Sequence, residues 1–240
     1  MRLDKFLSET GTLSRSESSR AVRAGKILVN GRAARSPSEQ IDPERDEVIY
    51  AGERICYRRF FYILLNKPDG YVSATEDGRE QTVLQLLPEK LQKLSLFPCG
   101  RLDKHTLGLM LLTNDGQLAH DLLSPRHHVE KQYRFTVKFP LTPEEVAHLE
   151  EGTVLEDGYE TKPSRIFMNE DRKSGLITLI EGKYHQIKRM MESVHNQITS
   201  LERVSFGPLT LDETLARGEW RYLTEAEEAA LQACRRGTAT

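Results

Sequence analysis

The stretch Gly100-Arg101-Leu102-Asp103-Lys104-His105-Thr106-Leu107-Gly108 runs straight into the apolar tetrad Leu109-Met110-Leu111-Leu112. Four consecutive large apolar residues suit neither a half-exposed strand nor a solvated loop, so they predict a strand buried within a sheet. Phe60-Phe61-Tyr62-Ile63-Leu64-Leu65 makes the same demand. The polar connection before Leu109 is bracketed by Gly100 and Gly108, which permit a tight turn. Asp103 stands there between an arginine and a lysine. An acid so placed is a candidate nucleophile. A turn acid or helix cap is the commoner use of Asp in a loop.

The chain has 240 residues, room for one large domain or a small one plus a medium one. With 29% charged residues and regular aliphatic runs it reads as a soluble globular protein. No apolar run approaches the roughly 20 residues of a membrane span. Met1-Arg2-Leu3-Asp4-Lys5 has no apolar signal core, so a cytoplasmic location is expected. Cys56, Cys99 and Cys234 are odd in number and far apart, which argues against a disulfide framework or a cysteine-rich zinc site. The net charge of −2 says nothing for nucleic acid, but its distribution does. Residues 1–35 hold eight Lys/Arg against three acids, a local net of +5. That is the footprint of a phosphate-binding module on a near-neutral body.

Leu3, Phe6 and Leu7 mark a short helix over residues 2–9. Ser14 or Ser16 caps a second helix through about Ala24, ended by Gly25. Ile27-Leu28-Val29, a hairpin turn at Asn30-Gly31 and a weaker strand follow, and Val48-Ile49-Tyr50 closes a small sheet. Residues 53–59 are polar and aperiodic, the expected linker between a module at 1–52 and a body at 60–240. In the body, Lys67-Pro68-Asp69-Gly70 is a turn, residues 74–81 are a loop, and Val83 to Leu87 is a short helix stopped at Pro88. Thr113-Asn114-Asp115-Gly116 caps a helix through about Leu123, and Tyr133 to Val137 alternates as a strand. Thr142-Pro143-Glu144-Glu145 is a capping box. Residues 152–180 are hairpin material turning at Asp157-Gly158. Lys183 to Met191 is a basic helix, Ile198 to Phe206 a strand, and Thr224 with Glu227 caps a last, peripheral helix. There is no phosphate loop, no dinucleotide glycine pattern and no internal repeat. The expected class is α+β, with a mixed, mostly antiparallel sheet flanked by helices.

Two resemblances sharpen this. Arg2-Leu3-Asp4-Lys5-Phe6-Leu7, Ser14-Arg15 and Gly25-Lys26-Ile27-Leu28-Val29-Asn30-Gly31 resemble the small S-four-like RNA-binding module. The resemblance implies that Arg2, Lys5, Arg15, Arg20, Arg23 and Lys26 face folded RNA, positioning the protein on phosphates. The Gly100-Arg101-Leu102-Asp103 core, with Thr106, Gly108, Leu109 and the strand ending Thr113-Asn114-Asp115-Gly116, resembles the motif of pseudouridine synthases. Ser124-Pro125-Arg126-His127-His128 and Glu181-Gly182-Lys183-Tyr184-His185-Gln186-Ile187-Lys188-Arg189-Met190 are most similar to the RsuA-type branch, which modifies 16S ribosomal RNA. The resemblance covers the chain from Met1 to about Glu228.

It implies a reaction in which uracil leaves its ribose, rotates and rejoins through carbon 5. Asp103 acts at the sugar, as a nucleophile on the anomeric carbon or as the base that takes the 2′ proton. Tyr133 stacks on the base and helps remove the carbon 5 proton. Lys188 keeps Asp103 charged, in a position where many relatives carry arginine, and it lacks the bidentate fork of that side chain. Arg101, Lys104, Arg126, Lys183 and Arg189 hold flanking phosphates. His127 and His128 have no third ligand at suitable spacing, so no metal and no other cofactor is expected. The implied partner is 16S rRNA or a small-subunit assembly intermediate, with uridine 516 as target, and the protein acts as a monomer. The rivals are a synthase for 23S rRNA, against which the Tyr184-His185-Gln186-Ile187-Lys188 wording speaks, and a non-catalytic RNA-binding or assembly factor.

Overall fold

The structure, a computed structural model, describes residues 1–124 and 129–236. It divides into two compact units, Met1–Phe61 with Leu87–Leu96, and Tyr62–Leu86 with the chain from Phe97 onward.

The first unit opens with α1 (Leu3–Glu9) and α2 (Arg15–Arg23). Leu3, Phe6 and Leu7 fall on one face of α1 and are buried with Ala21 and Val22 of α2. Ser14 caps α2: its Oγ accepts the Glu17 N–H at 3.3 Å, and the Glu17 carboxylate accepts the Ser14 N–H at 2.7 Å. Then come β1 (Ile27–Val29), β2 (Arg32–Ala33), β3 (Val48–Tyr50) and β4 (Glu53–Ile55), an antiparallel sheet ordered β2-β1-β3-β4. Val48–Tyr50 therefore does not close the sheet, and the stretch expected to be a linker begins as a strand. Ala51 and Gly52 both take positive φ, which makes the two-residue turn from β3 into β4. The polar residues of β4 hid it, because an edge strand faces water. The unit is completed by α3 (Glu89–Gln92), which starts at Pro88, where the sequence pattern marked only a stop. The preceding turn Val83–Leu86 is a 3₁₀ helix.

The second unit is built on β5 (Tyr62–Lys67), β6 (Phe97–Pro98), β7 (Leu107–Thr113), β8 (Lys131–Val137), β9 (Arg165–Met168), β10 (Ser174–Leu179), β11 (Ile198–Phe206), β12 (Leu209–Thr210) and β13 (Trp220–Tyr222). The main path of the sheet is β13-β5-β7-β11-β8-β10-β9, with β6 on β7 and β12 on β11. Among the described residues β7 and β11 form the one parallel pair, so the sheet is mixed and mostly antiparallel. Every residue of β5 is buried, as are Gly108 to Thr113 of β7, which is why both read as unbroken apolar runs. In β8 and β10 burial alternates, as expected of strands with one solvated face. The hairpin within 152–180 turns at residues 169–173, between β9 and β10; Asp157-Gly158 turns within an isolated bridge, Val154 with Glu160.

Helices α4 (Gly116–Leu123), α5 (Pro143–Glu151), α6 (Gln186–Ser193) and α7 (Glu225–Arg236) complete the unit. Asp115 caps α4 through the Leu118 N–H at 3.0 Å, and its other carboxylate oxygen accepts the Tyr62 hydroxyl at 2.8 Å, tying the helix start to β5. None of the described helices is long and apolar enough to cross a membrane.

Gly108 is where β7 comes closest to β11. Its φ is +95°, and a Cβ there would meet the Arg203 carbonyl oxygen at 2.4 Å. Gly108→Ala should cost about 3 kcal/mol, lowering the Tm of the second unit by about 6–12 °C in calorimetry.

Candidate active site

The connection from β6 to β7 carries Asp103, and it is held almost atom by atom. Ser73 brackets Leu102, donating to its carbonyl at 2.7 Å and accepting its N–H at 3.0 Å. The Thr106 N–H donates to the Asp103 carbonyl at 3.0 Å, closing a turn around residues 103–106. Beneath the turn lies the Lys67 ammonium, at the end of β5 and fully buried. It donates to the carbonyls of Pro68 at 3.1 Å, Lys104 at 2.9 Å and Thr106 at 2.9 Å. Three donors meet three acceptors, so the charge is solvated by backbone dipoles instead of water. Lys67 reads in the sequence as part of a polar turn. The signal that it is structural is its place at the end of an unbroken apolar strand.

The Asp103 side chain is only 27% exposed. One carboxylate oxygen accepts from Lys188 Nζ at 2.8 Å; the other lies 3.5 Å from His185 Nε2. Lys188 is the third residue of α6, so the carboxylate sits at the N-terminal end of that helix. The helix begins later than its sequence suggests. Lys183, Tyr184 and His185 precede it, and His185, its N-cap, is left-handed at φ 50°. That backbone turn, not shared helical spacing, brings His185 beside Lys188 on the same acid.

Asp103 opens into a cavity of about 650 Å³ whose lining includes Tyr133, Lys131, Arg203, Glu181, Tyr184 and His185. A recess of about 70 Å³ beside it is lined by Asp103, Thr106, Tyr133 and Lys188 among others. Tyr133 lies on the buried face of β8 and is 9% exposed. Its hydroxyl makes no hydrogen bond to a described residue and is free to meet a ligand. Tyr184, missed by the sequence reading, is 75% exposed at the rim, its ring stacked on His185 at 3.9 Å. Glu181 accepts from Tyr159 Oη at 2.7 Å, from the Lys162 N–H at 3.0 Å and from Gln186 Nε2 at 2.6 Å, fixing the segment before α6.

The arrangement joins a carboxylate in contact with an ammonium, an aromatic face and a cavity with room for more than a nucleobase. Comparison with known proteins decides what that means. Residues 61–193 match the family model described as RNA pseudouridylate synthase, and residues 1–48 match the S4 domain. This chain belongs to the RNA pseudouridine synthase family. It is 46% identical over 230 residues to an uncharacterized RNA pseudouridine synthase, YtzG, of Bacillus subtilis, covering 95% of this chain and 96% of that one. It is 39% identical to ribosomal small subunit pseudouridine synthase A of Escherichia coli, covering 96% and 100% of the two chains. A solved pseudouridylate synthase superposes with a TM-score of 0.68 at 38% identity, over 96% of this chain and 99% of its own.

The basic residues of the synthase expected at RNA have unequal surroundings. In the S4 domain Arg15, Arg20, Arg23 and Lys26 are exposed and make no ion pair with a described residue. Arg2 is exposed too, but its guanidinium is bound to Asp4 at 2.7 Å, and Lys5 lies 3.6 Å from Glu9. Arg101 is exposed on the cavity wall. Lys183 is exposed with its ammonium 4.3 Å from the centre of the Tyr159 ring. Lys104 is bound to Glu80 at 2.7 Å, and Arg189 to Asp157 at 2.7 Å. Neither is a free cation, so phosphate binding there requires exchange of partners. Arg126, His127 and His128 lie outside the described residues.

Burial pushes the Lys67 amine down to about 8 from its ordinary 10.5. A lysine lowered in the folded chain binds its proton less well there than in the unfolded chain, so its burial costs most below pH 8 and the cost disappears as pH rises to 10.5. The stability of the wild type over Lys67→Met should therefore grow between pH 8 and 10.5, as read from urea midpoints across that range.

Proposed function

We propose that this synthase isomerises a uridine of small-subunit ribosomal RNA, uridine 516 of the 16S molecule, to pseudouridine, acting as a cytoplasmic monomer without a cofactor. The substrate is inferred from the relatives named ribosomal small subunit pseudouridine synthase A, matched along nearly their whole length. The chemistry is inferred from one observation, the Asp103–Lys188 contact at 2.8 Å in a cavity that also presents Tyr133.

The reaction needs the target base outside its helix, at a cost of roughly a few kcal/mol. Contacts from the S4 domain and the cavity rim supply the compensation, and Tyr133 offers a face for the extruded uracil. Asp103 meets the ribose. The bond between C1′ and N1 breaks with its electron pair going to the base, either by carboxylate attack at C1′ or after loss of the 2′ proton to Asp103. The base turns and C5 bonds to C1′, displacing the Asp103 carboxylate in the first route and with the 2′ proton returned from Asp103 to C2′ in the second; the C5 proton then leaves and N1 is protonated. Atoms balance, as an isomerisation requires. Lys188 keeps Asp103 anionic and aimed by direct contact. His185 approaches the other oxygen and limits its rotation.

Incubation of the full-length protein with 16S transcript, followed by carbodiimide-blocked reverse transcription, should give one stop, at uridine 516. Modification of 23S instead of 16S RNA would overturn the substrate. Asp103→Asn should bind the transcript with the wild-type Kd and form no pseudouridine, while Lys188→Met should slow conversion about 10²–10³-fold. Normal turnover by Asp103→Asn would remove that residue from the chemistry.

The exposed arginines of α2 are assigned to RNA phosphates. Because Leu87–Leu96 belongs to the first unit, substitution tests this more cleanly than truncation. Replacing Arg15, Arg20 and Arg23 together by Glu should weaken transcript binding at least about tenfold and flatten its log–log salt dependence by about 2–3. An unchanged slope would place the RNA elsewhere.

A further inference from the structure

Two cations in the cavity make no ion pair with a described residue. Arg203 is 2% exposed and Lys131 9%. Arg203 donates through Nε to the Leu109 carbonyl at 2.8 Å and through Nη2 to Met110 Sδ at 3.9 Å. Lys131 Nζ donates to the Val129 carbonyl at 2.8 Å, leaving two of its three N–H groups unassigned. No carboxylate among the described residues pairs with either, and residues 125–128, Pro-Arg-His-His, contain no acid. The nearest acid, Glu181, attracts Lys131 only through space, because its oxygens are taken by hydrogen bonds from Tyr159, Lys162 and Gln186. The neighbouring Cys99 thiol is pushed up to about 12 by burial, so it offers no negative charge near neutral pH. Both also face the Phe206 ring, with Lys131 Nζ 5.6 Å and the Arg203 guanidinium carbon 5.0 Å from its centre.

Three other arginines of this unit are matched by carboxylates. Arg134 and Arg217 share Glu202 from the other face of the sheet, and Arg221 holds Asp212 and Glu227. Two buried, adjacent, unpaired cations are costly to fold. Their place in the register shows what they face. Arg203 is directly opposite Tyr133 on the neighbouring strand, which puts the two Cβ atoms about 5 Å apart on one face. Lys131 precedes Tyr133 by two residues on the same strand face, about 7 Å along it. The ring assigned to the base is thus flanked by both cations, and all three side chains line the cavity that Asp103 enters.

We propose that Lys131 and Arg203 form the cationic floor of the base site and stabilise the uracil anion released when the glycosidic bond breaks. This deepens the function proposed above and rests on it. By either route the electron pair of the C1′–N1 bond leaves with the base, spreading negative charge over N1, O2 and O4. Lys188 is committed to Asp103 at the sugar, so the charge on the departing base needs other partners. Donors already fixed in place do this without reorganising. When C5 attacks C1′ the charge is discharged, and the pair releases a neutral base. No proton is exchanged with Lys131 or Arg203. A backbone phosphate is the other anion in the substrate, but the part that enters the cavity beside Tyr133 is the base.

The test uses the full-length chain and 16S transcript made with uridine or 5-fluorouridine, whose fluorine stabilises the base anion by induction. Transcript Kd and the single-turnover loss of the intact target nucleoside are measured. Lys131→Met should keep the wild-type Kd, lose about 100-fold in rate on uridine and only about 10-fold on 5-fluorouridine. Lys131→Arg, which keeps the charge, should recover most of that rate. Equal losses on both RNAs would overturn the proposal in favour of a packing role. A weakened Kd with an unchanged single-turnover rate would overturn it in favour of a phosphate site. Should Lys131→Met lose the wild-type melting transition, Lys131→Arg and Arg203→Lys carry the same comparison, and a loss independent of fluorine overturns it there. Failure of the wild type to convert uridine at all would instead overturn the parent reading.

Discussion

A single ammonium sets the geometry on which this site depends. Lys67 ends a strand buried on both faces, and its three hydrogen bonds draw the carbonyls of residues 68, 104 and 106 around one point. The turn bearing Asp103 is thereby fastened to the sheet from below, while Ser73 fastens Leu102 from the side. A carboxylate on an untethered loop would sample positions several ångströms apart. Here its backbone is fixed, and only the side chain is left for Lys188 and His185 to aim. The same approach of β7 to β11 that demands glycine at 108 brings Arg203 under the cavity.

The two units carry their charges differently. The S4 domain presents exposed arginines along one helix, suited to phosphates and indifferent to base identity. The larger unit uses its sheet as a partition. On one face, Arg134, Glu202 and Arg217 form a closed ion network. On the other, the charges are arranged for something that arrives. Lys188 is matched by Asp103, whereas Lys131 and Arg203 wait on an aromatic ring. That asymmetry between neighbouring residues of β11, Glu202 paired and Arg203 not, separates structural charge from charge held for a ligand.

Much of this was legible in the sequence, for physical reasons that differ by element. The buried strands announced themselves because burial on both faces leaves no polar positions. The caps at Thr142 and Thr224 were legible, and those of α2 and α4 to within a few residues, because each orphan N–H needs a nearby oxygen and only a few side chains supply one. Asp103, Tyr133 and Lys188 stood out through motifs, but nothing in their spacing gives the 2.8 Å contact between residues 85 positions apart. Lys131 was illegible as a buried group, since lysine is ordinarily a surface residue and its partner here is a backbone carbonyl, while Lys67 showed only through its place at the end of an apolar strand. The edge strand β4 was hidden by its polar residues. The late start of α6 was hidden because a left-handed histidine carries no compositional sign.

The membership of Leu87–Leu96 in the first unit bears on how the protein is made. A chain emerging from a ribosome can form α1, α2 and the small sheet early, but that unit lacks its last helix until residue 96 is out. By then β5 has already been synthesised, with its apolar residues unpartnered until β7 appears some forty residues later. The nascent chain must therefore carry an exposed hydrophobic strand while its first unit waits to finish, an interval in which a holding chaperone has something to grip.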